Sequence, residues 1–243
     1  MKKLFILLLL VSACKKAEDR RCWKFNGDPV EKIVSLENFN EVEIRSHLIV
    51  NLIQDTVNFA VVKGGENVVN LITTEIEQGK LVLSNTNKCN YLRSGKKKIT
   101  IDIHFVSLDK IIYHGSEPLK SIGVISGSQL TIEIKETAGT IILEVNTLNF
   151  YLNAEPSWAN FVISGSTKNA SFSVKGNAYG DARELHVENK VLCCSRTVGD
   201  IYINGDVSLL KCETNGSGNV YFTNTPGNIE WNNYGTGKLL QAP

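Results

Sequence analysis

Short apolar runs of β-type residues recur along the second half of the 243-residue chain at a nearly constant interval. The runs Thr140-Ile-Ile-Leu, Asn160-Phe-Val-Ile, Asp200-Ile-Tyr-Ile and Asn219-Val-Tyr-Phe start 160 − 140 = 20, 200 − 160 = 40 and 219 − 200 = 19 residues apart. A second series lies between them: Leu130-Thr-Ile-Glu-Ile, Phe150-Tyr-Leu, Ala170-Ser-Phe-Ser-Val, Lys190-Val-Leu-Cys-Cys and Leu210-Lys-Cys, each beginning 20 residues after the last. A fixed period of two short strands separated by Gly, Ser or Asn is the signature of a solenoid, in which each coil buries its apolar face only against its neighbours. The pattern therefore predicts an all-β chain: an irregular N-terminal strand region, residues 29–125, followed by a right-handed parallel β-solenoid over residues 126–225 with a rung of about 20 residues, and a C-terminal tail, 226–243.

Alternation within each run assigns the inward positions. Ile132, Leu152, Phe172, Leu192 and Cys212 are predicted to stack in one column, and Ile134, Ala154, Val174 and Cys194 in the next. In the other series Ile141, Phe161, Ile201 and Val220 align, with Leu143, Ile163, Ile203 and Phe222 beside them. Ahead of the repeat the strands read as local hairpins. Leu48–Ile53 and Val57–Val62 flank a turn at Gln54-Asp55-Thr56, and Gln78-Gly79-Lys80 joins two further strands. Glu66–Ile72 predicts a short helical turn.

The first residues carry an address. Lys2 and Lys3 precede an apolar run of eight residues, Leu4–Val11, well short of the roughly 20 needed for a membrane-spanning helix. Val11-Ser12-Ala13-Cys14 then places small residues before a cysteine, in the manner of a bacterial lipobox. Residues 1–13 are thus expected to be a lipoprotein signal peptide, with Cys14 the acylated mature N-terminus. The charged stretch through residue 28 would be a solvated tether. No aspartate follows Cys14, which by resemblance to diderm lipoproteins implies the outer membrane, and leaves open whether the periplasmic or the external side is occupied.

With 26 basic and 25 acidic side chains no whole-protein field attracts nucleic acid. The four histidines, His47, His104, His114 and His186, share no metal-ligand spacing with cysteines or carboxylates. No Gly-x-Ser-x-Gly elbow or Walker loop is present, and the Gly-Ser turns precede strands rather than the helices a phosphate cradle requires. The acids of the repeat, Glu133, Glu144, Glu188 and Asp206, are scattered. No catalytic residue, cofactor or metal is expected. The aromatics Tyr151, Trp158, Tyr179, Tyr202 and Tyr221 fall outside the inward register or in turns. They either cover strand faces or offer rings to a sugar.

Of the six cysteines, Cys22 and Cys89 lie outside the inward columns, and a disulfide between them would close a loop of 89 − 22 = 67 residues. The chain-entropy model gives such a closure about 4 kcal/mol in an oxidising compartment. Cys194 and Cys212, read as inward in neighbouring columns, and Cys193, read as outward, are expected to stay reduced.

The lipobox, the segment Asn87-Lys-Cys-Asn-Tyr-Leu-Arg-Ser before a Lys-rich strand, the Gly-Ser turns and the closing Gly216-Ser-Gly-Asn-Val-Tyr together resemble the head GIN domain family. The resemblance covers roughly Phe39 to Phe222 and departs from the family's Ser-Gly-Ser-Gly turns at Ala154-Glu-Pro-Ser-Trp. It implies a Bacteroidetes-type lipoprotein named as an auto-transporter adhesin. The expected function is a non-enzymatic cell-envelope module for adhesion or binding, contacting the membrane through its lipid and a protein or glycan through its solenoid. The alternative is a glycan-binding accessory protein or a polysaccharide-acting enzyme on a β-helix.

Overall fold

A computed structural model describes residues 26–45, 47–86 and 98–242. Cys14, Cys22 and Cys89, and with them the expected lipid and the expected disulfide, lie outside these residues. Ahead of the single helix among the described residues, α1 (Glu66–Val69), run β1 (Pro29–Ser35), β2 (Glu41–Arg45), β3 (Ile49–Gln54) and β4 (Phe59–Gly65). After it come β5 (Ile72–Glu77), β6 (Lys80–Asn85), β7 (Thr100–Phe105), β8 (Lys110–Tyr113), β9 (Leu119–Ile134), β10 (Thr140–Ser157), β11 (Asn160–Gly176) and β12 (Tyr179–Ala182). The chain closes with β13 (Leu185–Thr197), β14 (Ile201–Asn204), β15 (Leu209–Thr214), β16 (Val220–Thr223), β17 (Ile229–Asn233) and β18 (Leu239–Gln241).

These strands wind into a β-solenoid of about 7 turns. One parallel stack runs β6, β2, β8, the C-terminal halves of β9, β10, β11 and β13, then β15 and β17. The other runs β7, β3, the N-terminal halves of β9, β10 and β11, then β12, β14, β16 and β18. Parallel stacking thus begins at Glu41 and continues to Gln241, beyond residues 126–225 in both directions. The start is threaded out of order. The coil formed by β2 and β3 lies between the later coil of β6 and β7 and that of β8 and β9. On the outer edge, β5 lies antiparallel on β6, β4 on β7 and β1 on β4.

The predicted hairpin of Leu48–Ile53 with Val57–Val62 does not form, because β7 inserts between β3 and β4. Ile101 and Ile103 of β7 are wholly buried, and their burial outweighs a local turn signal. The hairpin at Gln78-Gly79 does form, with Glu77 opposite Lys80 and both turn residues left-handed (φ 51° and 78°). That conformation matches the twist of a two-residue connection, which explains the glycine.

Inside the coils, Ile132, Leu152 and Phe172 stack as the period predicts. The next rung breaks the register. Thr167 pairs with Val187 but Asn169 pairs with Lys190, so β13 holds one extra residue and Phe172 meets Cys193 instead of Leu192. A one-residue slip exchanges the faces of a strand. Leu192 and Cys194 therefore turn outward, Cys193 and Cys212 share the inward column, and Ser195 and Thr214 continue the column of Val174. The expected assignments of Leu192, Cys193 and Cys194 are corrected accordingly. All three thiols of Cys193, Cys194 and Cys212 are free. Contact with Cys212, together with burial, pushes the Cys193 thiol well above its ordinary range. Cys194 alone is half-exposed. Under native conditions a thiol-alkylating probe is therefore expected to modify Cys194 first, with Cys193 and Cys212 reacting only on unfolding. Equal native labelling of Cys193, read by peptide mass mapping, would contradict this register.

Beside the inward columns, polar ladders join rung to rung: Asn149, Asn169 and Asn189 bond in sequence at 3.0 Å each, and Thr147 bonds Thr167 at 3.0 Å. In the N-terminal coils the corresponding polar centre is Glu43 on β2. Its carboxylate meets Arg45 at 2.5 Å and Lys80 at 2.7 Å, with His114 3.5 Å away. The Arg45 hydrogen bond, opposed by burial and reinforced by Lys80, lowers the Glu43 pKa to about 2. A depressed carboxyl pKa contributes stability above its unfolded value of roughly 4.3 and loses it as pH falls toward 2. Because the Arg45 side chain is 53% exposed, solvent screening reduces the contribution to on the order of 1–2 kcal/mol. Glu43→Gln is expected to destabilise by that amount at pH 7. The gap to wild type should narrow steadily below about pH 4 and close only as pH falls through about 2, as followed by urea unfolding.

Candidate binding face

The outward side of the second stack carries a row of tyrosines beside a recess lined by charged and amide side chains. Register places Ile142, Val162, Asp181, Tyr202, Tyr221 and Leu240 in a single outward row, one from each successive rung. Tyr179 begins the row beside Asp181, since residues two apart on a strand share a face. The rings of Tyr202 and Tyr221 stack at 4.8 Å with planes 12° apart, and Tyr179 meets Tyr202 at 5.7 Å, tilted by 51°. The spacing of Tyr202 and Tyr221 matches the strand separation in a parallel sheet, so equivalent positions on consecutive rungs form a ladder without special adjustment.

Arg183 locks onto this ladder. Its guanidinium grips Asp181 through both Nε (3.0 Å) and an Nη atom (2.6 Å), while its central carbon sits 5.0 Å from the Tyr202 ring centre. The Arg183 hydrogen bond holds the Asp181 carboxyl below its ordinary range, with burial opposing, and Asp181 in turn raises Arg183. Burial also raises the Tyr179 hydroxyl, aided by Tyr202 and Asp181. Beside the clamp opens a recess of ≈ 570 Å³ lined by Val162, Asp181, Arg183, Glu184, Asn204 and Asn224. Asn224 and Asn204 bond at 3.0 Å across its rim.

Of the aromatics singled out in the sequence, the structure brings together Tyr179, Tyr202 and Tyr221. Tyr151 faces out from the other stack, opposite Ser171, and Trp158 stands 69% exposed in the turn before β11. Glu133 is bound by Lys110 at 2.7 Å and Lys135 at 3.0 Å, and Glu144, Glu188 and Asp206 do not line the recess. The acids that do are Asp181 and Glu184, which the sequence reading passed over. Their signal was the spacing of Asp181, on β12, and Arg183, in the turn just after it, masked because β12 contains no apolar run. His104 is engaged by Asp55 at 2.9 Å and stacked on Phe59 at 3.9 Å, and His114 adjoins Glu43. No group of three or more His, Cys, Asp or Glu able to hold a metal occurs among the described residues.

The face offers the chemistry of recognition. Asp181, neutralised by Arg183, stays ionised and is a poor proton donor. The ring edges, hydroxyls, amides and bidentate clamp together offer apolar contact beside fixed donors and acceptors.

A sequence profile described as "Putative auto-transporter adhesin, head GIN domain" matches residues 38–226. Among solved structures, a "putative adhesin" from Bacteroides fragilis NCTC 9343 superimposes with a TM-score of 0.80 at 19% identity, covering 88% of this chain and 97% of that one. A second "putative adhesin", from Parabacteroides merdae ATCC 43184, gives 0.65 at 16% identity, over 90% of this chain and 98% of that one. A "putative lipid binding protein" from Parabacteroides distasonis ATCC 8503 gives 0.61 at 18% identity, over 90% and 98%. At these identities the likeness is one of fold. No curated protein matches the chain.

Proposed function

The chain belongs to the head GIN domain family, and from that membership we propose that it is a non-enzymatic adhesion module that binds glycans through the tyrosine face of its solenoid. The observation that carries this reading is the Tyr179–Tyr202–Tyr221 ladder clamped by Arg183 and Asp181 beside an open recess. A glycan presents hydroxyls along its edges and C–H groups on its ring faces. Amide and carboxylate groups at Asp181, Glu184, Asn204 and Asn224 suit the former, and Val162 with the half-buried tyrosine rings beside the recess suits the latter. One structural neighbour is described as lipid binding. The charged and amide rim of this recess favours a hydroxyl-rich ligand over an acyl chain, whose burial requires an apolar lining.

The module is held, in this proposal, at the outer membrane by acyl chains on Cys14, with residues 15–28 as its tether. Cys14→Ser should release the protein from membranes, and protease treatment of whole cells should trim it if it faces outward.

An immobilised saccharide array, with analysis of any released sugar, tests the binding reading. Retention of one saccharide class without shortened products is the expected result. Release of shortened products would establish the polysaccharide-acting alternative, and retention of no saccharide would end the glycan assignment.

A further inference from the structure

The two ends of the solenoid are built differently. At the N-terminal end, antiparallel strands lie over the first coil, and the outermost of them carry Pro29, Glu31 and Lys32 on β1 and Glu75 and Glu77 on β5. Proline and charge on an edge strand discourage pairing with another chain. At the C-terminal end β17 and β18 have no strand beyond them among the described residues. Leu210 donates to the Asn228 carbonyl and Tyr234 to the Thr214 carbonyl, so β17 turns its even-numbered backbone groups toward β15. The N–H and C=O groups of Ile229, Trp231 and Asn233 therefore line the free edge. By the same alternation Leu239 and Gln241 do so on β18, since Val220 donates to Lys238 and Ala242 to Phe222.

The side chains tell the same story. Ile229 and Trp231 continue the inward columns of Leu210 and Cys212. Leu210 and Cys212 are 0% exposed, whereas Ile229 and Trp231 are 44% and 42% exposed, and Tyr234 beside them is 70% exposed. A solenoid whose last rung bares both its core column and its strand edge needs a cover.

We propose that the cover is a second copy of the chain, docked tail to tail through β17 and β18 as a closed two-fold dimer. Charge permits it: the last coil carries one acid, Glu230, tied to Lys211 at 3.2 Å, and one base, Lys238. Two such ends bring no row of like charges together. Antiparallel pairing of β17 with its copy about Trp231 sets the two Trp231 residues opposite each other and Ile229 opposite Asn233, an aromatic cross-strand pair at the centre. Because, among the described residues, only the C-terminal end is bare, the contact is isologous and closes at two copies instead of propagating.

Sedimentation of the full chain bearing Cys14→Ser, so that no acyl chain drives association, tests this. The expected result is a dimer at micromolar concentration. Trp231→Lys should convert it to monomer, and so should Ile229→Pro, which removes a free-edge N–H without breaking a bond to β15. Both should retain the circular dichroism of the wild type. A wild-type chain that stays monomeric would overturn the proposal and leave the edge to another segment or a different protein. A dimer untouched by either substitution, or an open-ended polymer, would overturn it equally.

Discussion

Gly180→Val is expected to lower stability by about 3 kcal/mol, near the upper end of overpacking costs, and so to lower the melting temperature by roughly 6–12 °C for a chain of this size. The cause is steric. Gly180 occupies the rung between Phe161 and Ile201 in one inward column. A Cβ built there would lie 2.0 Å from Cζ of Phe161 and 2.4 Å from Cε2. The Phe161 ring has nowhere to retreat, being fully buried and stacked on Phe172 at 6.2 Å. The ring fills the volume that a side chain at residue 180 would otherwise claim, so the two positions share one space. Shrinking the ring should therefore restore part of the loss: Phe161→Leu with Gly180→Val is expected to be more stable than the sum of the single effects. Additive losses in that cycle, or a Gly180→Val melt within a degree or two of wild type, would show that the column is not packed in this way.

Phe172→Ala is expected to cost about 4 kcal/mol, within the usual range for emptying a buried aromatic site. Phe172 is 1% exposed, flanked in its column by Leu152 and Cys193, and its ring meets Phe150 at 5.9 Å and Phe161 at 6.2 Å. It is the point where the two inward series of the coil touch, so its loss opens a cavity shared by three rungs. Leu192→Ala is the matched comparison. The uncorrected 20-residue period puts Leu192 in the same column, whereas the observed register puts it outside. Its truncation should cost less than about 1 kcal/mol. Chemical denaturation of the two variants side by side distinguishes the registers, and equal losses would restore the unbroken period.

These two positions also mark how far the solenoid could be read from the residues. The column Ile132–Leu152–Phe172 was legible because its spacing is constant and its residues are large and apolar. The rung of β12 was not, because Tyr179-Gly-Asp-Ala has no apolar run: Phe161 supplies the bulk that Gly180 lacks, and a pattern of hydrophobicity cannot register volume borrowed from the next coil. The extra residue in β13 falls among Glu188, Asn189 and Lys190, polar at every position, so no apolar residue marks where the slip occurs. The N-terminal coils were hidden for a different reason. β3 pairs with β7 and β9, partners 50 and more residues away in order of chain, and local turn signals favour neighbours in sequence. On the candidate face, alternation sufficed to turn Tyr202 and Tyr221 outward. The clamp of Arg183 on Asp181 depended on the unseen rung, and so the recess beside it could not be anticipated.

In the proposed function the tyrosine face, not another part of the solenoid, contacts the ligand. Titration of a saccharide retained on the array against wild type, Tyr202→Ala, Arg183→Ala and Tyr151→Ala measures it most directly. Tyr202 and Arg183 lie in the face, and Tyr151 lies on the other stack. Tyr202→Ala and Arg183→Ala are expected to bind at least about tenfold more weakly, a loss of about 1.4 kcal/mol, with melting temperatures that show both proteins folded and with Tyr151→Ala unchanged. Undiminished affinity in both face variants, or a loss in Tyr151→Ala alone, would place the ligand elsewhere and contradict the proposed function.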